Sequence, residues 1–118
     1  MEPAVEDVIR TGELEIRPSE HLALAGGRTL PLSVRELELL AALAGREGKI
    51  VAREELYQMV WGAPLRAKDR SVDVYVHKLR AKLASALPGW EFIHTHFGFG
   101  YRFSPERSHA FHSTGTGR

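Results

Sequence analysis

The residues with the clearest chemical potential lie on one predicted helix, from about Asp69 to Leu87. At about 100° per residue, four apolar side chains fall on one face of it: Val72, Val76, Leu79 and Leu83. The nearly opposite face is basic, polar and small, with one exposed valine: Arg70, Val74, His77, Lys78 and Ala81. Such a helix can pack its apolar face on a core and lay the other face in the major groove of a nucleic-acid duplex.

The distribution of charge agrees with this interpretation. The segment from Arg66 to Lys82 holds six basic and two acidic residues, a balance of +4, whereas the whole chain carries only +1. A local cationic stretch in a nearly neutral protein is typical of a surface that binds a polyanion. A solvated helix face that happens to be basic would look the same, and charge alone does not separate the two.

Length and composition restrict the class of protein. The 118 residues fit one domain with one core, and the hydrophobic fraction of 43% and charged fraction of 26% are ordinary for a soluble protein. The sequence has no cysteine, which excludes disulfides and Cys-type zinc sites and fits a cytoplasmic protein. We expect no membrane span, because no apolar run approaches the roughly 20 residues that a span needs. We expect no signal peptide, because the start Met1-Glu2-Pro3 lacks a basic and an apolar region.

Turn residues and periodicity predict the other elements. Four short strands, separated by Thr11-Gly12, Arg17-Pro18-Ser19 and Gly26-Gly27, should form an antiparallel sheet from Val8 to Leu30. A first helix should start at the capping box Ser33-Val34-Arg35-Glu36 and stop at Gly45. A short second helix is expected from Arg53 to Val60.

A hairpin is expected to close the domain after the basic helix. Its strands run from Glu91 to His96 and from Tyr101 to Phe103, with an aromatic, glycine-containing tip between them. The prediction is an α+β winged helix-turn-helix, made of an N-terminal four-stranded antiparallel sheet, three helices and a C-terminal hairpin wing. The domain should span residues 8–103, after a flexible segment 1–7 and before a disordered tail 104–118.

The sequence offers little chemistry for an enzyme. His94 and His96 point to the same side of a strand and could begin a metal site, but no third ligand is fixed by spacing. Gly98-Phe99-Gly100 joins two strands, so it is not a dinucleotide-binding loop. We therefore predict that the protein is not an enzyme and uses no cofactor or metal, with a small metal-dependent enzyme as a remote alternative.

Five segments resemble the effector domains of OmpR/PhoB-type response regulators. They are Leu32-Ser33-x-x-Glu36-x-x-Leu39-Leu40, Val51-x-Arg53-Glu54-Glu55-Leu56, Val60-Trp61-Gly62, the helix segment Asp69 to Leu83, and Gly98-x-Gly100-Tyr101-Arg102-Phe103. Each segment alone is weakly specific, but together they occur in the right order over residues 10–103. The resemblance implies sequence-specific binding of double-stranded DNA for transcription regulation, with a protein-binding winged helix as the alternative.

The resemblance also implies roles for individual residues. Positions matching phosphate contacts of the family are Trp61, Arg70, Ser71 and Tyr75. Groove-facing positions are Asp73, Val74 and Lys78. Positions used mainly for backbone contacts are His77 and Arg80, and Tyr101 matches an aromatic residue near a phosphate at the base of the wing. Two alternatives stay open. One is that Trp61, Tyr75 and Tyr101 are core aromatics with a polar tip, and the other is that Asp73 is an ion-pair partner on the helix face.

The chain departs from the family pattern at Phe97, where an arginine able to enter the minor groove is usual. A phenyl ring can pack or wedge against sugars, but it cannot pair with groove acceptors. At least one of Phe97 and Phe99 is expected to contact DNA or an adjacent subunit. The sequence shows no receiver domain, so either a receiver precedes this chain in a longer protein or the domain acts alone.

The resemblance suggests partners as well. The loop of residues 63–68 matches the place where family members meet RNA polymerase or a neighbouring subunit. One helix reads only a few base pairs, so we expect a monomer in solution and a tandem dimer on DNA.

Overall fold

The described part of the chain begins with a four-stranded antiparallel sheet. The computed structural model describes residues 8–108. Strands β1 (Ile9–Thr11), β2 (Leu14–Arg17), β3 (Leu22–Ala25) and β4 (Arg28–Thr29) pair in chain order, with a short 3-10 turn at Pro18–Glu20. Leu14 and Ile16 on β2 and Ala23 and Ala25 on β3 are buried, so one face of the sheet covers the core. The predicted sheet is confirmed.

Helix α1 (Val34–Ala44) begins at the predicted capping box. The Ser33 amide donates to Glu36 Oε1 at 2.9 Å, and the Glu36 amide donates to Ser33 Oγ at 3.2 Å. Glu36 is buried and also accepts from Lys82 Nζ at 2.7 Å, which ties the first helix to the third. Burial would raise the pKa of Glu36, but hydrogen bonds from Lys82 and Ser33 outweigh it and hold the pKa below its ordinary value.

Helices α2 (Arg53–Trp61) and α3 (Ser71–Ala86) follow α1 and pack against it. Helix α2 ends at Gly62, whose φ of 74° is left-handed. Helix α3 buries the predicted face, Val72, Val76, Leu79 and Leu83. Its start is two residues later than predicted, because the Asp69 carboxylate accepts from the Ser71 amide at 2.8 Å and so stands before the helix.

The C-terminal sheet has three strands where the sequence predicted a two-stranded hairpin. Strands β6 (Trp90–His96) and β7 (Gly100–Arg107) form the wing, and the short strand β5 (Ile50–Val51) pairs with the other edge of β7. A Cβ at Gly100 would lie 2.1 Å from the Val51 carbonyl oxygen, so only glycine fits where these strands cross.

The predicted domain boundary at Phe103 is too early. Strand β7 continues to Arg107, which pairs with Trp90, and the Ser108 amide donates to the Gly89 carbonyl at 2.9 Å. The expected tail therefore starts later than residue 104. The predictions of a flexible segment at 1–7 and of a disordered tail beyond 108 lie outside the described residues.

Candidate nucleic-acid interface

The basic side of α3 faces solvent. The Arg70 side chain is 75% exposed and Val74 is 47% exposed. His77 and Lys78, one turn further along the helix, are exposed as well. These residues together with Ala81, which we call the recognition face, form a row of cations and small groups opposite the buried face. The sequence placed them on one stripe, and the structure brings them together.

An aromatic cluster supports this face from beneath. Tyr75 is half-buried and packs edge-on against Trp61, with ring centroids 5.5 Å apart. Trp61 in turn stacks on Tyr57 at 4.8 Å, and the Arg35 guanidinium lies 5.1 Å from its ring centroid. Lys78 Nζ lies 5.0 Å from the centre of the Tyr75 ring. Trp61 and Tyr75 therefore have packing roles while part of each ring reaches the surface, where it can still meet a phosphate.

Ser71 uses its donors inside the protein. Its hydroxyl donates to Asp69 Oδ1 at 2.6 Å, and its amide donates to the same oxygen. These two hydrogen bonds lower the pKa of Asp69. The role of Ser71 in this structure is to fix the start of α3, and a hydroxyl contact to a phosphate would require its proton to leave Asp69.

Asp73 joins α3 to the wing and to α2. The Tyr101 hydroxyl donates to Asp73 Oδ1 at 2.6 Å, and the Arg53 Nε lies 3.3 Å from the same oxygen. Arg70 Nη1 lies 3.7 Å from Asp73 Oδ2. We call these four residues the Asp73 cluster. The structure gives Asp73 the partners that the ion-pair alternative expects, and its groove-facing role stays a prediction.

Tyr101 is a core residue with a polar tip. It is 7% exposed, and its hydroxyl proton is engaged by Asp73. Burial and this hydrogen bond raise the pKa of Tyr101 to about 12. The phosphate contact implied by the resemblance stays a prediction, and it would require the hydroxyl proton to turn away from Asp73.

Arg80 is likewise committed within the domain. Its Nε donates to the Ile93 carbonyl at 3.1 Å and its Nη2 donates to Thr95 Oγ1 at 2.5 Å, both on β6. Its guanidinium lies 5.5 Å from the centre of the Tyr101 ring. In this structure the side chain holds the wing against α3, and the predicted contact of Arg80 with the DNA backbone stays a prediction.

A cleft of about 530 Å³ lies between the starts of α2 and α3 and the wing. Arg53, Arg70 and Arg80 line it together with the wing tip. Arg53 belongs to the family-like segment Val51 to Leu56, but the sequence predicted no role in binding for it. Its Nε is buried without a hydrogen-bond partner among the described residues. Its nearness to Asp73 depends on tertiary packing, which the segment alone does not contain.

The wing tip projects away from the core. Phe97 is 88% exposed and Phe99 is 73% exposed, so the core takes neither ring. Gly98 between them has a φ of 85°, and the Phe99 amide donates to the His96 carbonyl at 2.8 Å to close the turn.

His94 and His96 have protein partners. His94 Nε2 lies 2.8 Å from the Ser104 carbonyl oxygen, and His96 Nε2 accepts from Arg102 Nε at 2.9 Å. Within residues 8–108, no group of three or more histidine, cysteine or acidic side chains is placed to hold a metal ion.

A helix with an exposed cationic face, beside a hairpin that shares with it a cleft lined by three arginines and two carboxylates, defines a class of protein. This arrangement is that of a winged-helix DNA-binding domain. No helix in the described part of the chain is long and apolar enough to cross a membrane.

Comparison with known proteins gives the family. The sequence profile described as "Transcriptional regulatory protein, C terminal" matches residues 27–103. The chain belongs to this family: it is the effector domain of an OmpR/PhoB-type response regulator, a DNA-binding domain of transcription regulators.

Individual relatives agree with this assignment. The phosphate regulon transcriptional regulatory protein PhoB of Shigella flexneri is 36% identical over 103 residues, which cover 86% of this chain and 44% of PhoB. The response regulator SaeR of Staphylococcus aureus is 32% identical over 95 residues, 80% of this chain and 42% of SaeR. The chain thus spans less than half the length of these two relatives.

Solved structures show the same fold. The DNA-binding domain of CpxR from E. coli superposes with a TM-score of 0.76 at 33% identity, covering 82% of this chain and 95% of that domain. The DNA-binding domain of Klebsiella pneumoniae RstA, solved in complex with the RstA box, gives 0.73 at 33% identity, covering 82% and 96%.

Proposed function

We propose that this domain binds a specific duplex DNA sequence by placing the recognition face in the major groove. The observation that carries the proposal is the division of α3 into a fully buried apolar face and an exposed face with two permanent cations, Arg70 and Lys78. The same side of the domain holds the Arg53 cleft. The solved complex of the RstA domain with the RstA box supports binding to DNA.

The exposed groups suit different parts of the duplex. Lys78 near the middle of α3 can donate to guanine acceptors, and Val74 can contact a thymine methyl group. Arg70 at the start of the helix and Arg53 in the cleft are placed for phosphates, with His77 as a weaker backbone contact. The proposal assigns no catalytic step to the domain.

A selection from a random pool of duplexes, followed by binding titrations at several salt concentrations, tests the proposal. We expect one enriched sequence and an affinity that falls steeply with salt. The control is Arg28→Ala, which removes an exposed cation of the N-terminal sheet and should leave the affinity unchanged. No enrichment, or no binding at low salt, would contradict the proposal.

The proposal extends to assembly. One recognition helix covers few base pairs, so two copies should bind neighbouring direct repeats head to tail, from a protein that is monomeric without DNA. Footprints on duplexes carrying one or two half-sites test this. Occupancy of a single half-site, or a preference for inverted repeats, would argue against it.

The surroundings of the domain are also part of the proposal. The loop of residues 63–68, which exposes Arg66 and Lys68, is the surface proposed to meet RNA polymerase or the neighbouring copy. The chain matches less than half of PhoB and SaeR. We propose that it works in the cytoplasm, either as the effector domain of a two-component response regulator or as a stand-alone regulator. Charge reversal at Arg66 that leaves DNA binding intact but abolishes transcription in vitro would support the polymerase contact.

A further inference from the structure

Two phenylalanines at the wing tip have no partner within the described residues that covers them. Phe97 is 88% exposed and Phe99 is 73% exposed, whereas the other described phenylalanines, Phe92 and Phe103, are buried. A pair of apolar rings this exposed is unfavourable surface unless it meets a partner. The closed turn at Gly98 holds both rings out on the hairpin tip, so they are presented rather than folded back.

The position of the tip identifies the partner. Phe97, Gly98 and Phe99 line the same cleft as the arginines at the starts of α2 and α3. A DNA strand held by those arginines would run along the cleft, between the recognition face and the wing tip. With α3 in the major groove, the groove on the far side of that strand is the minor groove.

We propose that Phe97 and Phe99 enter the minor groove beside the half-site and give this domain a preference for flexible flanking sequence. This inference rests on the proposed function and deepens it. An inserted arginine is drawn to the negative potential of narrow A-tract grooves, whereas a phenyl ring has no charge to gain from it. An apolar wedge instead needs a groove that opens and bases that partly unstack, and TA and CA/TG steps deform most easily.

The test uses two duplexes with the same selected half-site and different flanks on the wing side. One flank contains TA and CA steps, and the other is a rigid A-tract. Anisotropy titrations should show that the wild-type domain binds the flexible flank more tightly by roughly fivefold or more, the range of a single aromatic contact. Phe97→Ala and Phe99→Ala should lose this difference while keeping the preference for the half-site.

Two further variants make the result specific. Val34→Ala removes another exposed apolar side chain, 59% exposed at the start of α1 and outside the cleft, and should bind both duplexes like the wild type. Phe97→Arg should reverse the preference in favour of the A-tract. It should also steepen the slope of log affinity against log salt concentration by about one. All variants should melt with the wild type, because both rings are exposed. A 2-aminopurine placed at the flexible step should brighten on binding only when the rings are present.

Other results would overturn the proposal. Equal affinity of the wild type for both flanks would do so, as would an equal loss for both flanks in the alanine variants. A loss seen only on duplexes with two half-sites would assign the rings to the neighbouring copy. If the wild-type domain enriches no sequence at all, the proposed function itself fails, and that outcome is recognisable before any flank is compared.

Discussion

Replacing Asp73 with alanine is expected to lower the free energy of unfolding by about 2 kcal/mol. The change removes the acceptor of the Tyr101 hydroxyl, which lies 2.6 Å away on a residue that is only 7% exposed. A hydrogen bond to a charged group contributes about 1.5–3 kcal/mol, and the partial exposure of Asp73 favours the lower half of this range. The ion pairs with Arg53 and Arg70 add little, because both arginine side chains are more than a third exposed.

A double-mutant cycle shows whether Asp73 and Tyr101 act through each other. Tyr101→Phe should lower the free energy of unfolding by about 1 kcal/mol. The loss in the double variant should be smaller than the sum of the two single losses by about the same amount. Urea unfolding with unchanged m values gives these energies. Tyr75→Phe on the same helix is the matched control and should show no coupling to Asp73.

A spectroscopic titration gives an independent readout of the same contact. The pKa of Tyr101 is raised to about 12 by burial and by Asp73, so Asp73→Asn should lower it towards the ordinary tyrosine value. Strictly additive stability losses would refute the coupling. If Asp73→Ala left stability unchanged but altered which bases are preferred, Asp73 would be a groove residue after all.

Three further predictions concern separate parts of the domain. Lys78→Ala should reduce the difference in binding free energy between the preferred sequence and its variants by about 1–3 kcal/mol. Arg70→Ala should instead weaken binding to all sequences evenly. Equal effects of the two variants in competition titrations would reject the assignment of Lys78 to base readout. The pKa of Glu36 is lowered in the folded state, so its ionised form stabilises the fold at pH values above the ordinary carboxyl pKa. This stabilisation is lost as the pH falls through the lowered pKa. In denaturant unfolding at several pH values, the free energy of unfolding of Glu36→Gln should therefore fall less steeply with decreasing pH than that of the wild type. Gly100→Ala should lower the free energy of unfolding by more than about 2 kcal/mol, because the new Cβ would lie 2.1 Å from a backbone oxygen. Gly98→Ala should lower it by only about 1 kcal/mol, because its Cβ has open space and only the left-handed backbone is strained. Thermal melts of both variants measure the difference.

Elements that follow from local pattern were predictable. The buried face of α3 follows from spacing alone, and the capping box at Ser33 needs only two residues three apart. Gly26 and Gly27 mark the turn between β3 and β4, and both have the positive φ that such a turn requires. In each case the physical cause lies within a few residues, so the sequence contains it.

Elements that depend on distant pairing were not predictable. Strand β5 is two residues long and exists because it pairs with Arg102 and Tyr101, about fifty positions away. The extension of β7 to Arg107 depends in the same way on pairing with Trp90. The polar segment that follows Phe103 resembles a tail in the sequence because its partners are on another strand.

The sequence predicted which side chains share the binding face, but it did not predict which of its polar groups are held by partners within the domain. These partners change the expected dependence of DNA affinity on salt. The segment from Arg66 to Lys82 contains six bases, and if all six met phosphates the affinity would fall with a slope near −5 on logarithmic axes, at about 0.9 per contact. In the structure the Arg80 side chain is held by β6 and that of Lys82 by Glu36, so we expect neither to meet a phosphate. The cations that remain are Arg66 and Lys68 on the loop of residues 63–68, Arg70 and Lys78 on the recognition face, and Arg53 in the cleft. If the loop meets another partner, Arg53, Arg70 and Lys78 predict a slope of about −3 for one bound domain. Titrations of a single half-site between low and moderate salt measure this slope. A value near −5 would mean that further cations meet phosphates. If Arg66→Ala and Lys68→Ala left that steep slope unchanged, the internal contacts of Arg80 and Lys82 would open on binding, and their assignment to structural roles would be wrong.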